Sequence, residues 1–216
     1  MKALIFDCDG VLVDTERDGH RVAFNRAFSE TGLGVEWSVD LYGELLAISG
    51  GKERMRYFFD RHGWPSGLGE EHRDQFIRDL HSLKTDLFMR IIDSEELPLR
   101  SGVARLVDEA IEAGIDLAVC STSNERSVNL VVERLLGPQR RARFSEILAG
   151  DIVQRKKPDP EIYNLARERI GVSALDCVVV EDNRNGLLAA KAAGMICVVT
   201  TSAYSGEEDF SEADHV

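Results

Sequence analysis

Short apolar runs separated by longer amphipathic segments set the pattern of this chain. Residues 2–8, Lys-Ala-Leu-Ile-Phe-Asp-Cys, form such a run, and it ends in a carboxylate. Similar runs recur at 115–121, near 145–149, at 177–181 and at 196–200. Runs that are apolar throughout, bounded by polar or Gly residues, suit strands covered on both faces of a parallel sheet. Between them, segments at 101–113, 124–136, 159–170 and 186–193 read as helices, with Gly114 and Gly194 where C-terminal caps are expected. This alternation predicts an open, Rossmann-like α/β sheet with right-handed crossovers.

Residues 16–93 break the alternation. They carry helical periodicity at about 17–30, 40–48, 52–62 and 70–91 and no convincing strand. The predicted division is therefore an α/β core of residues 1–15 and 94–216 with an inserted all-helical domain of residues 16–93. Linkers are expected near 14–17 and 93–100, where Leu97-Pro98-Leu99 ends any helix and favours an extended path. The last ten residues are acidic and are expected to be only partly ordered.

Composition narrows the class of protein. A formal net charge of −12 argues against a nucleic-acid or anionic-membrane partner. No apolar stretch approaches the roughly 18 residues of a membrane span, and no signal peptide precedes the first run. Cys8, Cys120, Cys177 and Cys197 sit in or at the ends of apolar runs without metal-ligand spacing, as buried thiols of a reducing compartment do. The expectation is a soluble monomer of the cytoplasm, or of a plastid stroma if a transit peptide has been removed.

Open α/β sheets bind ligands beyond the carboxyl ends of their strands. Reading only those ends gives Asp7 and Asp9 after the first strand, Ser121 and Thr122 after the second, Lys157 after the third, and Glu181 with Asp182 after the fourth. Each piece alone has a plain reading: Asp-x-Asp-Gly as a turn, Glu181-Asp182 as a helix cap, Lys156-Lys157-Pro158 as a solvated turn. Their succession, each after a strand, points to one site on one rim. Phosphoryl transfer needs such a set. An anionic nucleophile, Asp7, requires a cation to offset repulsion from phosphate, and hard carboxylate oxygens suit Mg²⁺. Asp7, Glu181, Asp182 and the backbone carbonyl of Asp9 are the candidate metal ligands. The Asp9 carboxyl is placed to protonate the leaving alkoxide and then to deprotonate water. Ser121 and Lys157 are placed to donate to phosphoryl oxygens.

Phe6-Asp7-Cys8-Asp9-Gly10-Val11, Cys120-Ser121-Thr122-Ser123-Asn124, Lys156-Lys157-Pro158-Asp159-Pro160 and Val180-Glu181-Asp182-Asn183 resemble, in order, the four motifs of the haloacid dehalogenase superfamily. Asn183 departs from the usual serine. The helical insertion resembles the cap of the phosphoglucomutase-like branch. Retention of Asp9 sets the chain apart from the dehalogenases, which need neither magnesium nor that residue.

In the insertion, Ser49-Gly50-Gly51-Lys52-Glu53-Arg54 reads either as a second anion site at a helix start or as a flexible turn before a charged face. His81 and Lys84 share one helix face, which solvation alone would explain. Together with Asp14-Thr15-Glu16 and His20, these segments resemble the CbbY-type phosphatases of plants and cyanobacteria. That resemblance implies a sugar bisphosphate substrate, xylulose 1,5-bisphosphate. It also implies substrate contacts from Asp14, His20, Gly50, Gly51, Lys52, Arg54, His81 and Lys84, besides Ser121, Thr122, Ser123, Asn124 and Lys157. Closure of the insertion over the core is expected to accompany binding. Arg100, beside the second linker, reads equally as a hinge-side contact or as surface. A β-phosphoglucomutase-like mutase, a phospho-aspartate signalling module and an inactive binding protein are the alternatives.

Overall fold

A computed structural model describes residues 1–94 and 97–216. Glu95 and Glu96, inside the expected 93–100 linker, lie outside the described residues. The chain forms two compact units, Met1–Thr15 with Leu97–Val216, and Glu16–Glu96.

The first unit is built on a five-stranded, all-parallel sheet of β1 (Ala3–Phe6), β2 (Asp116–Ser121), β3 (Phe144–Ala149), β4 (Cys177–Glu181) and β5 (Ile196–Val199), in the order β3-β2-β1-β4-β5. β1 is central and wholly buried, with Ala3 opposite both Asp116 and Cys177. Strand alternation sends Ala3 and Ile5 to one face and Leu4 and Phe6 to the other. Ala3 and Ile5 join a core that includes Ile162, Tyr163 and Ala166 of one helix and Leu187, Ala189 and Ala190 of another. Phe6 meets the ring of Phe144 at 6.4 Å. Burial on both faces is why these strands read as continuous apolar runs.

The first unit's helices are α5 (Val103–Glu112), α6 (Glu125–Val131), α7 (Gly137–Arg141), α8 (Glu161–Ile170) and α9 (Arg184–Ala192). Gly114 and Gly194 follow α5 and α9 with φ of +67° and +74°, the left-handed conformation that closes a helix C-terminus. The expected single helix 124–136 is not regular. α6 ends at Val131, and Val132–Leu136 form a wider π-type turn before α7. The irregularity falls where two adjacent β-branched residues, Val131 and Val132, are both buried.

The expectation of a partly ordered C-terminus is corrected. Asp214 N–H donates to the Cys197 carbonyl at 3.0 Å, and Val199 N–H donates to the His215 carbonyl at 2.8 Å. The acidic side chains are paired as well, Asp214 with Lys191 at 2.7 Å and Glu212 with Arg184 at 3.0 Å. The segment pairs with the outer edge of β5, where unpaired backbone groups offer partners.

The second unit is helical: α1 (Arg21–Glu30), α2 (Val39–Leu45), α3 (Gly51–His62) and α4 (Arg73–Ser94), with no strand among its described residues. A wider π-type turn, Glu16–His20, leads into α1. Its core is aromatic, with Phe24 against Trp37 at 4.7 Å and Trp37 against Phe58 at 5.5 Å. Asn25 holds the Trp37 backbone from both sides, donating to its carbonyl at 2.9 Å and accepting its N–H at 2.8 Å. Among the described residues no helix is long and apolar enough to cross a membrane. All four cysteines are buried and unbridged.

Candidate active site

The carboxyl ends of β1 and β4 and the segment after β3 bring Asp7, Glu181, Asp182 and Lys157 into one buried cluster. Asp7 follows β1, and its N–H still bonds the Val180 carbonyl at 2.9 Å, so the central strand aims it. Lys157 Nζ donates to Asp7 Oδ1 at 2.7 Å, to Glu181 Oε1 at 2.6 Å and to the Cys120 carbonyl at 2.8 Å. Those bonds use all three ammonium hydrogens, so Lys157 is fixed by acceptors from β1, β2 and β4 at once. The Lys157–Pro158 peptide is cis.

Asp7, Glu181 and Asp182 each offer an oxygen within 4.8 Å of the others. Two glycines make the room. A Cβ on Gly10 would stand 2.0 Å from Asp182 Oδ2, and one on Gly186 would stand 1.9 Å from Glu181 Cδ. Gly10 also has φ +83°, a conformation glycine adopts at no steric cost. Burial pushes the Asp7 carboxyl up to about 8; the Glu181 and Asp9 carboxylates add to the rise and Lys157 opposes it. Asp182 is likewise raised well above the carboxylate range, by burial first and then by Asp7 and Glu181. Burial alone would lower Lys157, but Asp7 and Glu181 hold its ammonium above the ordinary lysine value. Three carboxylates around one ammonium leave the cluster short of positive charge. Hard oxygens in glycine-cleared slots fit a divalent cation of the Mg²⁺ kind.

Asp9 stands apart from these three. Its carboxylate accepts from the hydroxyls of Thr15 and Ser123, the latter at 2.5 Å, and is nearly buried. Only its backbone was expected to serve a metal. Two hydroxyl donors set its orientation instead, as a proton-transferring group requires. Ser121 is buried, and its Oγ accepts the Ser123 N–H at 3.1 Å. Asn124 caps α6 by accepting the Arg126 N–H at 3.0 Å. Asn183, the departure from the usual motif, caps α9 through Gly186 N–H at 2.9 Å and donates to Asp182 Oδ1 at 2.8 Å.

Asp14, also in this unit, accepts the Ala203 N–H at 3.3 Å through Oδ2, while its buried Oδ1 has no hydrogen-bond partner. Within the helical unit, His20 Nδ1 lies 2.7 Å from Lys84 Nζ, and its ring stacks on Phe88 at 3.9 Å. Lys84 is buried over the faces of Phe24 and Phe88, not solvated. His81 abuts Gly51 so closely that a Cβ there would meet Nε2 at 2.6 Å. Gly51, Lys52 and Arg54 lie on α3, which opens after Gly50, and the Arg54 guanidinium is engaged by groups of its own unit. It is buried, donating to the carbonyls of Leu45 (3.1 Å) and Ile48 (3.3 Å) and to Tyr42 Oη (2.9 Å). A guanidinium three residues into a helix has no sequence mark that tells this use from an anion site.

Sequence reasoning missed Tyr163, whose hydroxyl donates to Glu181 Oε1 from beneath the cluster while its ring lies 4.9 Å from Lys157 Nζ. It stands six residues after Lys157 on α8, where an inward aromatic reads as ordinary core. Thr15 was named only within the Asp14-Thr15-Glu16 segment, with no role of its own.

The haloacid dehalogenase-like hydrolase family model matches residues 1–194. A CBBY-like protein of Arabidopsis thaliana is 58% identical over 216 residues, covering 99% of this chain and 67% of the relative. The solved structure of CbbY from Rhodobacter sphaeroides in complex with phosphate matches at a TM-score of 0.92 and 40% identity, covering 100% of this chain and 92% of that one. An aspartate-to-asparagine variant of that protein, in complex with xylulose 1,5-bisphosphate, matches at a TM-score of 0.92 and 39% identity over the same shares. The chain belongs to the haloacid dehalogenase-like hydrolases, among their CbbY-like members.

Proposed function

We propose that this protein is a Mg²⁺-dependent phosphatase that hydrolyses xylulose 1,5-bisphosphate through a phospho-aspartate on Asp7. The observation that carries the reading is the separation of roles at the rim. Asp7 sits with Glu181, Asp182 and Lys157, while Asp9 is held apart by two hydroxyls. Asp7, Glu181, Asp182 and the Asp9 carbonyl would hold Mg²⁺, which offsets the charge of the phosphoryl group and of its nucleophile.

An Asp7 carboxylate oxygen attacks phosphorus, and the bond from phosphorus to the sugar oxygen breaks. Asp9 gives its proton to that oxygen. Water then attacks the phosphorus of the acyl-phosphate, Asp9 takes the water's proton, and Asp7 and inorganic phosphate are released. Lys157 keeps its charge throughout and steadies Asp7 between the two steps. The solved CbbY variant that holds xylulose 1,5-bisphosphate supports the choice of sugar. His20, Gly50, Gly51, Lys52, His81 and Lys84 are proposed to select it, as is Asp14.

The test is phosphate release from a panel of sugar mono- and bisphosphates, with and without Mg²⁺, beside the Asp7→Asn variant. We expect preference for xylulose 1,5-bisphosphate, dependence on Mg²⁺, and loss of at least about 10⁴-fold in the variant, as when a catalytic nucleophile is removed. Preference for another phosphate discards the substrate and keeps the mechanism. Interconversion of sugar phosphates stimulated by catalytic bisphosphate would mark a mutase instead.

A further inference from the structure

Arg100 stands at the end of the predicted 93–100 linker, and its guanidinium donates to backbone carbonyls. It donates to the Gly10 carbonyl, to the Thr200 carbonyl at 3.2 Å and to the Thr201 carbonyl at 2.6 Å. Its own N–H donates to the Leu12 carbonyl at 2.9 Å. These acceptors belong to two loops, one following β1 and one following β5, with β4 between the two strands in the sheet. Both loops then meet Asp182. Gly10 presses on Asp182 Oδ2 so closely that no Cβ fits between them. Ser202, next in the loop after β5, opposes the rise that burial imposes on the Asp182 carboxyl, and Ser202 is itself fixed by its N–H to Ser205 Oγ at 2.8 Å. Two routes from one guanidinium therefore end on one carboxylate.

We propose that Arg100 is a positioning residue: it ties the loop after β1 to the loop after β5 and so fixes the slot that aims Asp182 at the metal. The inference rests on the reading of Asp182 as a metal ligand. Arginine suits the task because its rigid, planar fork holds several donors in fixed directions, whereas a lysine ammonium is a point charge. Partners that orient metal ligands contribute substantially to affinity, typically about 10- to 100-fold.

The test uses Arg100→Gln and Arg100→Lys in the whole chain, with Arg105→Gln on the exposed Arg105–Glu109 pair as control. Mg²⁺ binding alone is measured by calorimetry, amide exchange in the peptides spanning 8–13 and 199–203 by mass spectrometry, and kcat and KM separately. Arg100→Gln is expected to weaken Mg²⁺ binding about 10-fold and to raise exchange in both loops together. It should lower kcat at limiting Mg²⁺ and leave sugar-phosphate KM within about 2-fold, because no substrate contact is lost. Arg100→Lys should recover part of the Mg²⁺ affinity. Unchanged Mg²⁺ affinity in a folded Arg100→Gln protein, or exchange rising in one loop only, overturns the proposal. If the unaltered protein binds Mg²⁺ but releases no phosphate from any sugar phosphate, the proposed function fails while binding and exchange still decide the role of Arg100.

Discussion

Both units of this protein bury cationic side chains, and Lys157 of one and Arg54 of the other are held in opposite ways. Lys157 in the α/β unit is 4% exposed and Arg54 in the helical unit is 7% exposed, so neither is a surface charge. Lys157 faces two carboxylates, Asp7 and Glu181, in a cluster whose acids outnumber it. Arg54 faces two carbonyls and a phenol, and that phenol, Tyr42, donates in turn to Glu16. Burying a charge is costly in both places and needs compensating bonds. Carbonyls bind Arg54 without acquiring any role of their own, so its network pins α3 to α2 and the turn after it. Carboxylates bind Lys157 while keeping oxygens for a cation and a phosphoryl group. The partners, more than the burial, separate a site from a scaffold.

The sharpest way to break this comparison is at the space around the carboxylates. Gly186→Ala should replace a poor helix former with the best one, worth about 1 kcal/mol in an open position. Here its Cβ would stand 1.9 Å from Glu181 Cδ, so the expected result is the reverse. The melting temperature should fall, and the Mg²⁺ needed for half-maximal activity should rise about 10- to 100-fold. A stabilised, fully active variant would show that Glu181 does not need that slot.

Next in size is Arg54→Met, which deletes three bonds from a charged donor and should destabilise the folded protein by roughly 2–4 kcal/mol. Lys52→Met, two residues earlier, should leave stability within about 0.5 kcal/mol and instead raise KM for the bisphosphate. If Arg54→Met shifts KM without shifting the melting temperature, the scaffold assignment of Arg54 is wrong. Tyr163→Phe removes one donor from Glu181 Oε1 while Lys157 keeps the other, for a loss of about 1–2 kcal/mol. Its kcat should drop severalfold with KM for sugar phosphate held, and kinetics at fixed Mg²⁺ would check it.

The smallest effect concerns the C-terminal segment. The Lys191 ammonium and then the Cys197 N–H hold Asp214 below the ordinary carboxylate range. A carboxyl lowered by folding stabilises the protein at pH values above its unfolded value, and that contribution fades as pH falls through the folded value. Asp214→Asn should therefore lower the melting temperature slightly at neutral pH, by no more than about 1 kcal/mol for so exposed a pair, and make no difference in acid. Equal loss at both pH values would assign the effect to the backbone bond instead.

Much of the candidate site was legible because several of its groups stand at, or one residue past, the end of a strand. Asp7, Ser121 and Glu181 needed only the apolar runs before them and the rule that ligands gather at strand carboxyl ends. The helical unit was legible as helices but not as contacts. His81 and Lys84 share a face, yet nothing local says that Lys84 turns onto Phe24 and Phe88 beside His20. Arg54 drew an anion-site reading from its place in a helix's first turn, and its actual acceptors come from residues 42, 45 and 48. The acidic tail was read by composition alone, which says nothing of Lys191 and Arg184 waiting opposite it.

What the amino-acid order determined by itself was local: strand and helix periods, the caps at Gly114 and Gly194, and the identity of the groups at the strand ends. These follow from backbone sterics and side-chain period, which act over a few residues. What only the tertiary structure decided was long-range. Lys157 reaches Asp7 across 150 positions, Ser123 reaches Asp9 across 114, and Arg100 reaches Gly10 across 90. Glycines 10 and 186 look like a turn and a weak spot in a helix until a carboxylate is seen lying against each. Hydrogen bonds and excluded volume act only between atoms that meet, and packing brings these atoms together from far apart in the chain.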